Sequence, residues 1–164
     1  MRNGTNNYSL SLFIFFILFI SCNNPISVQN ESVRHHAFRL LPGMDLKKEI
    51  EKFVHLEDIN AGWIVTCVGS LTQTNLRYAN QSDGSQNNGH FEIVSLVGTL
   101  SKDGCHLHLS ISDSLGQTKG GHLLEGNLVY TTAELVIAES HDLIFTREKD
   151  GSTEWKELQV KKKY

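Results

Sequence analysis

The residues with the clearest potential for chemistry are three histidines in the segment HLHLSISDSLGQTKGGH, residues 106–122. His106 and His108 are separated by one leucine, and His122 follows a pair of glycines. On a β-strand, residues two apart face the same side with Cα atoms roughly 6–7 Å apart, so both imidazoles can reach one ion. Three imidazoles suit Zn²⁺ and leave a fourth position for water or a ligand. The spacing therefore predicts a divalent metal site, most simply zinc, and the alternative is a solvent-facing histidine pair.

Two acidic residues near these histidines have two readings each. Glu92, in GHFEIVSL, is a polar residue in an otherwise apolar strand; it would orient a ligating histidine, or else be exposed or paired with Arg77. Asp113 follows the histidine strand and would act as a general base toward water at the metal, or else form a turn. The chain contains no Gly-x-Ser-x-Gly elbow, phosphate loop or dinucleotide fingerprint. Catalytic residues are therefore unknown, and whether the protein is an enzyme stays open.

The elements that must position the histidines follow from hydrophobic periodicity. In CHLHLSIS, residues 105–112, apolar residues alternate with the two histidines and two serines, which predicts a strand with one face in the core. A helix is expected from the capping residue Asp45 through Ala61. The other predicted strands are 34–41, 63–71, 74–79, 90–100, 128–139, 143–148 and 155–160, separated by turn-rich segments such as 81–89. This order predicts an α+β, sandwich-like domain with a central, mostly antiparallel sheet, one main helix and short helices.

The N-terminal segment SLSLFIFFILFISCNN is typical of an export signal, because its apolar run is too short for a comfortable membrane span. A small residue directly before Cys22 also resembles a lipoprotein cleavage site, with Cys22 as the lipidated first mature residue. The alternative is an ordinary cleaved signal. We therefore expect a signal peptide over 1–21, a linker over 22–33, the folded domain over 34–160 and a basic tail over 161–164. The protein would be exported, either secreted or anchored to a membrane by its lipid.

Charge bears on the class of binding partner, and cysteine content bears on the presence of a disulfide. Residues 34–160 contain 11 Lys and Arg against 17 Asp and Glu, a net charge of −6, which would repel the phosphates of nucleic acid. This charge therefore disfavours nucleic acid as a partner. Cys67 and Cys105 would lie in an oxidising compartment, where they form either a disulfide or two buried thiols.

Four segments taken together resemble one known family. They are FRLLPGMDLKKEIEKFV, VGSLTQTNLRYAN, GHFEIVSLVGTLSKDGCHLHLSISDSLGQTKGGHL and LIFTRE, and the likeness runs from about residue 34 to residue 160. They are similar to the plant and prokaryote conserved (PPC) domain, which also occurs in plant AT-hook nuclear proteins. The resemblance implies a central antiparallel sheet, a homotrimer, and metal binding by His106, His108 and His122.

Three classes of function remain after this comparison. The first is an exported homotrimer that binds a divalent metal and acts as a ligand-binding or sensor module for an unknown small ligand. The second is a DNA-binding or regulatory protein, as the family's plant members are often described, although the AT-hook sequence Arg-Gly-Arg-Pro does not occur in this chain. The third is a zinc-dependent enzyme of unknown substrate.

Overall fold

A computed structural model describes residues 32–163 of the protein. The expected signal peptide, the lipidation site Cys22 and nearly all of the linker lie outside these residues. Across the described range, no helix combines the length and the apolar character needed to cross a membrane.

The described chain forms eight strands and one helix. In chain order these are β1 (Val33–Leu40), α1 (Leu46–Leu56), β2 (Gly62–Arg77), β3 (Ser85–Leu100), β4 (His106–Ser112), β5 (Thr118–Leu123), β6 (Leu128–Ser140), β7 (Leu143–Glu148) and β8 (Glu157–Lys162).

Six of the strands form a single antiparallel sheet in the order β1-β6-β2-β3-β4-β5. The sheet curls so far that its last strand, β5, returns to pair with the end of β2. β2 therefore changes partner along one edge: it pairs with β6 as far as Gln73 and with β5 at Leu76 and Arg77. The remaining strands, β7 and β8, form a separate antiparallel hairpin.

The expected α+β sandwich with additional short helices is wrong. Strands make up 60% and helix 8% of the described residues, and α1 is the single helix among them. The difference arises because β2 and β3 are each 16 residues long and run through segments that the sequence marks as breaks. Ser85 to Asn88, in the predicted loop 81–89, pair residue by residue with Leu76 to Gln73 of β2. Backbone pairing tolerates such polar residues on an exposed strand, so their turn propensity does not decide the structure.

Helix α1 begins where the sequence predicts and ends earlier. The Asp45 side chain accepts hydrogen bonds from the backbone N–H groups of Lys47 and Lys48, which confirms the predicted cap. The helix ends at Leu56, five residues before the predicted end at Ala61. Asp58 has a φ of +58°, which interrupts the helix, and the chain then runs into β2.

The core lies on one side of the curled sheet and is covered by α1. Three helix residues, Leu46, Ile50 and Val54, are fully buried and lie four residues apart, so they form one stripe on the helix. They belong to the same cluster as the inward side chains of the sheet, which include Leu107, Leu109, Ile111, Leu123, Leu135 and Ile137. The opposite side of the sheet carries the histidines.

Candidate metal centre

Strand β4 presents two of the three histidines by strict alternation. Leu107, Leu109 and Ile111 are at most 1% exposed, whereas His106 and His108 between them are exposed. The apolar residues must face the core, so the strand geometry directs both imidazoles to the outer face of the sheet. The predicted alternation is confirmed.

His122 is brought to the same face by the pairing of β5. It lies directly opposite His108 across the β4–β5 ladder and directly opposite Arg77 of β2. The preceding glycine permits this approach, because a Cβ at Gly121 would lie 2.7 Å from the carbonyl oxygen of Arg77. The Gly-Gly pair before His122 thus lets β5 contact β4 and β2 at once.

The three imidazoles form a compact cluster. One ring nitrogen from each of His106, His108 and His122 lies within 4.8 Å of the others. The Nε2 atoms of His106 and His108 are 3.2 Å apart, and the ring centroids are separated by 5.0–5.6 Å. A four-coordinate zinc bonds imidazole nitrogens at about 2.0–2.1 Å, and three nitrogens this close together suit such an ion.

The protonation of the cluster also suits a metal. Burial, reinforced by the nearby charges of His106, Arg77, His108 and Lys47, lowers the pKa of His122 to about 4. Burial, followed by Arg147 and His108, also lowers the pKa of His106. Metal ions bind the neutral imidazole, so the surroundings favour the form that coordinates.

One buried nitrogen in the cluster lacks a partner. His122 Nδ1 is buried without a hydrogen-bond partner within residues 32–163. A buried polar nitrogen without a partner is energetically costly. A metal ion coordinated by this ring would be one such partner. The residues present therefore fit a divalent metal with nitrogen ligands.

Glu92 and Asp113 lie together, but away from the histidines. Glu92 is opposite Ser112, four residues along β4 from His108, and with Asp113 it lines a separate cavity of about 390 Å³. Asp113 Oδ1 accepts 2.9 Å hydrogen bonds from the backbone N–H groups of Leu115 and Gln117. Asp113 therefore makes the turn that was the alternative reading, and over the described range neither carboxylate is hydrogen-bonded to the three histidines.

Two cavities flank the cluster, and the sequence did not indicate them. A cavity of about 520 Å³ borders His108 and His122, and a cleft of about 460 Å³ borders His106 and His122. Arg77 lines both. The cleft is closed on its other side by the β7–β8 hairpin, which places Arg147 near the site from far along the chain.

Asn127 is a second residue that periodicity did not single out. It is fully buried where β2 changes partner from β6 to β5. Its Oδ1 accepts a 2.9 Å hydrogen bond from the Asn75 N–H, and its Nδ2 donates to the carbonyls of Asn75 and Leu124. The Asn127 side-chain amide thus takes the place of a strand neighbour beside Asn75 of β2. Asn75 lies two residues before Arg77, which pairs with His122 of β5.

This chain is similar in sequence to known proteins and in fold to solved structures. The bifunctional protein GlmU of Synechococcus sp. (strain JA-3-3Ab) is 42% identical over 142 residues, which is 87% of this chain but only 23% of GlmU. A solved structure from Salmonella enterica is 42% identical, with a TM-score of 0.79 over 80% of this chain and 96% of that one. A metal-containing protein from Archaeoglobus fulgidus is 25% identical, with a TM-score of 0.65 over 77% of this chain and 93% of that one.

The family assignment rests on most of the folded domain. Residues 28–141 match the Plants and Prokaryotes Conserved (PCC) domain, which contains β1 through β6, the helix and all three histidines. This confirms the resemblance that the sequence motifs carry. The chain belongs to the Plants and Prokaryotes Conserved domain family.

Proposed function

We propose that this protein is an exported, homotrimeric metal-binding module that holds one zinc ion per chain through His106, His108 and His122 and binds a small ligand there. The observation that carries the proposal is the convergence of three imidazole nitrogens within 4.8 Å on the outer face of the sheet. The similar Archaeoglobus fulgidus protein is described as metal-containing, which supports the same use of the fold.

The surroundings of the cluster favour ligand binding over catalysis. A three-histidine zinc ion supplies a Lewis-acidic position that accepts an oxygen or nitrogen atom of a ligand. General acid–base catalysis would also need a carboxylate or another titrating group within hydrogen-bond reach of that position. Asp113 forms its turn, and Glu92 lies with it in the separate cavity. Glu157, which lines the cleft beside His106, already accepts a hydrogen bond from the hydroxyl of Thr153.

Elemental analysis of the purified full chain tests the metal. We expect about one zinc per chain after zinc-replete purification, since the cluster offers three ligands and one open position. The double variant His106→Ala/His108→Ala should lose the zinc and keep its fold, because both side chains are exposed. The matched control is His35→Ala/His141→Ala, which removes two other exposed histidines and should retain the metal.

Two outcomes of this experiment would contradict the proposal. Absence of zinc from the unaltered chain would leave the histidines as ordinary strand residues. Loss of the β-sheet circular-dichroism signal when a chelator removes the zinc would assign the metal a structural role instead of a ligand-binding one. Retention of the fold under chelation supports the binding module.

Exposed apolar side chains on the outer face of the sheet support the proposal that copies of the chain associate. Several large apolar side chains of β2, β3 and β6 are about half exposed there: Val65, Val68, Val94, Val97 and Tyr130. Val97 lies directly opposite His108 in the β3–β4 ladder, so this apolar surface adjoins the histidines. Exposed apolar surface of this kind is typical of an interface, and it agrees with the trimer that the family resemblance implies.

Export is supported by the N-terminal sequence. The apolar run that ends at Ser21-Cys22 is followed at once by asparagines, as expected of a cleaved signal. Mass spectrometry of the protein recovered from its native cells should find a mature chain that begins at or after Cys22. A lipid-modified Cys22 in the membrane fraction would establish the anchor, and a full-length chain that starts at Met1 would exclude export.

A further inference from the structure

The cleft beside His106 carries an unusual concentration of positive charge. Arg77, Arg147 and Lys156 all line it, and these are three of only 11 Lys and Arg in residues 34–160, a region whose net charge is −6. Within the described part of the chain, Glu157 is the one acidic residue that lines the cleft, and it accepts a 2.6 Å hydrogen bond from the hydroxyl of Thr153. The cleft is therefore locally cationic on an acidic domain, which favours an anionic occupant.

Arg147 is held in place by two contacts. Its Nη2 donates a 2.6 Å hydrogen bond to Thr99 Oγ1, and Thr99 pairs directly with His106 across β3 and β4. Its backbone N–H donates a 2.6 Å hydrogen bond to Asp103 Oδ2, which ties the hairpin to the β3–β4 turn. A guanidinium has five N–H donors, so most of them stay available to a ligand between the hairpin and the histidines.

The hairpin also supplies a flat apolar surface. Trp155 is 64% exposed, and the guanidinium carbon of Arg77 lies 5.4 Å from the centroid of its indole ring. This cation–π contact orients both groups along the cleft wall. The cleft is thus lined by arginine guanidinium groups, an exposed indole and two histidines of the cluster, in a volume of about 460 Å³ that is ordinary for a small-molecule site.

We propose that this cleft binds a small organic carboxylate, whose carboxylate group lies between Arg147 and the three-histidine site and whose organic part packs on Trp155. The inference rests on the proposed metal site for only one of its contacts. Arginine binds the planar carboxylate through paired N–H donors, and an open zinc position accepts the same oxygen atoms. Inorganic phosphate would leave the indole face unused, so the chemistry of the cleft selects a carboxylate with an apolar body.

Calorimetric titration of the zinc-loaded full chain tests this with benzoate as the probe, and benzamide and inorganic phosphate as comparisons. Benzoate should bind, and it should change the fluorescence of the unaltered chain but not that of Trp155→Phe. Benzamide has the same shape without the charge and should bind at least about tenfold more weakly, since it loses a charged hydrogen bond. Phosphate should also bind more weakly than benzoate.

Two pairs of variants assign the contacts. Arg147→Met should weaken benzoate binding by about tenfold to a hundredfold, whereas Arg39→Met, an exposed arginine on β1, should leave it unchanged. If Arg147→Met does not fold, Lys156→Met on the exposed end of the hairpin should still weaken binding by about two- to fivefold. Equal affinity of all these variants for benzoate would overturn the inference, as would tighter binding of benzamide or phosphate.

Zinc content measured on every sample separates this inference from the proposed function. A chain that holds zinc but ignores benzoate would overturn the carboxylate site and leave the metal module intact. A chain without zinc that still binds benzoate through Arg147 would overturn the metal module and support the carboxylate site.

Discussion

The two described cysteines are both free thiols, yet one is deeply buried and the other lies beside the histidine cluster. Burial raises the pKa of Cys67 to about 12. The pKa of Cys105 is raised to about 11, again by burial first, with a further contribution from Glu51. Because the thiolate is the reactive form, we expect both thiols to be largely protonated and slow to react at neutral pH. Of the two alternatives that the sequence left, the structure has the two separate thiols.

We expect Cys67 to resist iodoacetamide in the folded protein at about pH 8, where its thiolate fraction is very small. Cys105 should react slowly, and its rate should climb as the pH is raised toward its pKa. Peptide mass spectrometry after timed quenching measures each site separately. The same reaction in concentrated guanidinium serves as the control, because unfolding restores ordinary thiol acidity and both cysteines should then label quickly. Rapid labelling of Cys67 in the native protein would show that the site is open.

The sequence placed His106 and His108 beside each other more firmly than it placed His122 beside them. The alternation around Leu107 and Leu109 was enough to place His106 and His108 on one face. The proximity of His122 depends on which residue of β5 lies opposite His108, and a shift of one position would turn it to the other face. That register is decided by pairing with β4 and β2, which no local pattern reports.

Among the elements, β2 has the most irregular pairing, because its neighbour on one edge changes from β6 to β5 within the strand. Asn127 bridges the gap with three hydrogen bonds to backbone groups of Asn75 and Leu124. Buried backbone groups left without partners cost about 1–3 kcal/mol each, so this side chain matters more than its size implies. Its position also bears on function, since the β5 pairing that follows carries His122.

We predict that Asn127→Ala lowers the free energy of unfolding by about 2–4 kcal/mol, because it removes the side-chain partner of the Asn75 N–H and of the Leu124 C=O and one of two partners of the Asn75 C=O. Urea denaturation followed by circular dichroism measures the change. Asn87→Ala is the matched control: Asn87 lies on the exposed β3 extension, its side chain makes one local hydrogen bond to Ser85, and the cost should stay below about 1 kcal/mol. Equal stability of the two variants would contradict the bridging role.

The boundaries of the helix and strands show where local sequence patterns no longer predict the structure. The start of α1 was predictable, because a capping aspartate acts on the very next residues. Its end was not, since Ile59 and Ala61 are fully buried and continue the apolar pattern although the chain has left the helix. Likewise the polar segment before Gly89 looks like a loop, and only the presence of β2 beside it makes it a strand.

On the scale of the whole molecule, the exposed apolar side of β2 and β3 is the surface that we propose for self-association. If the chain forms the proposed trimer through this surface, Val68→Glu/Val94→Glu should convert it to a monomer, because two carboxylates would be buried unpaired at the interface. Light scattering coupled to size-exclusion chromatography measures the mass. Leu115→Glu is the control: Leu115 is 80% exposed in the turn after β4, and its replacement should leave the trimer intact. A monomer in the unaltered protein would contradict this assignment of the surface.

The weak pairing of strand β5 means that the proposed metal would also affect how firmly this strand is held in the sheet. The strand has only six residues, includes two glycines that weaken it, and touches β2 at just two positions. An ion shared by His106, His108 and His122 would clamp this weak edge onto β4. When metal is scarce, β5 would open more often and expose the unpaired backbone of its neighbours, which is a template for other strands. Zinc supply would then protect the protein against aggregation, whether or not a ligand is bound.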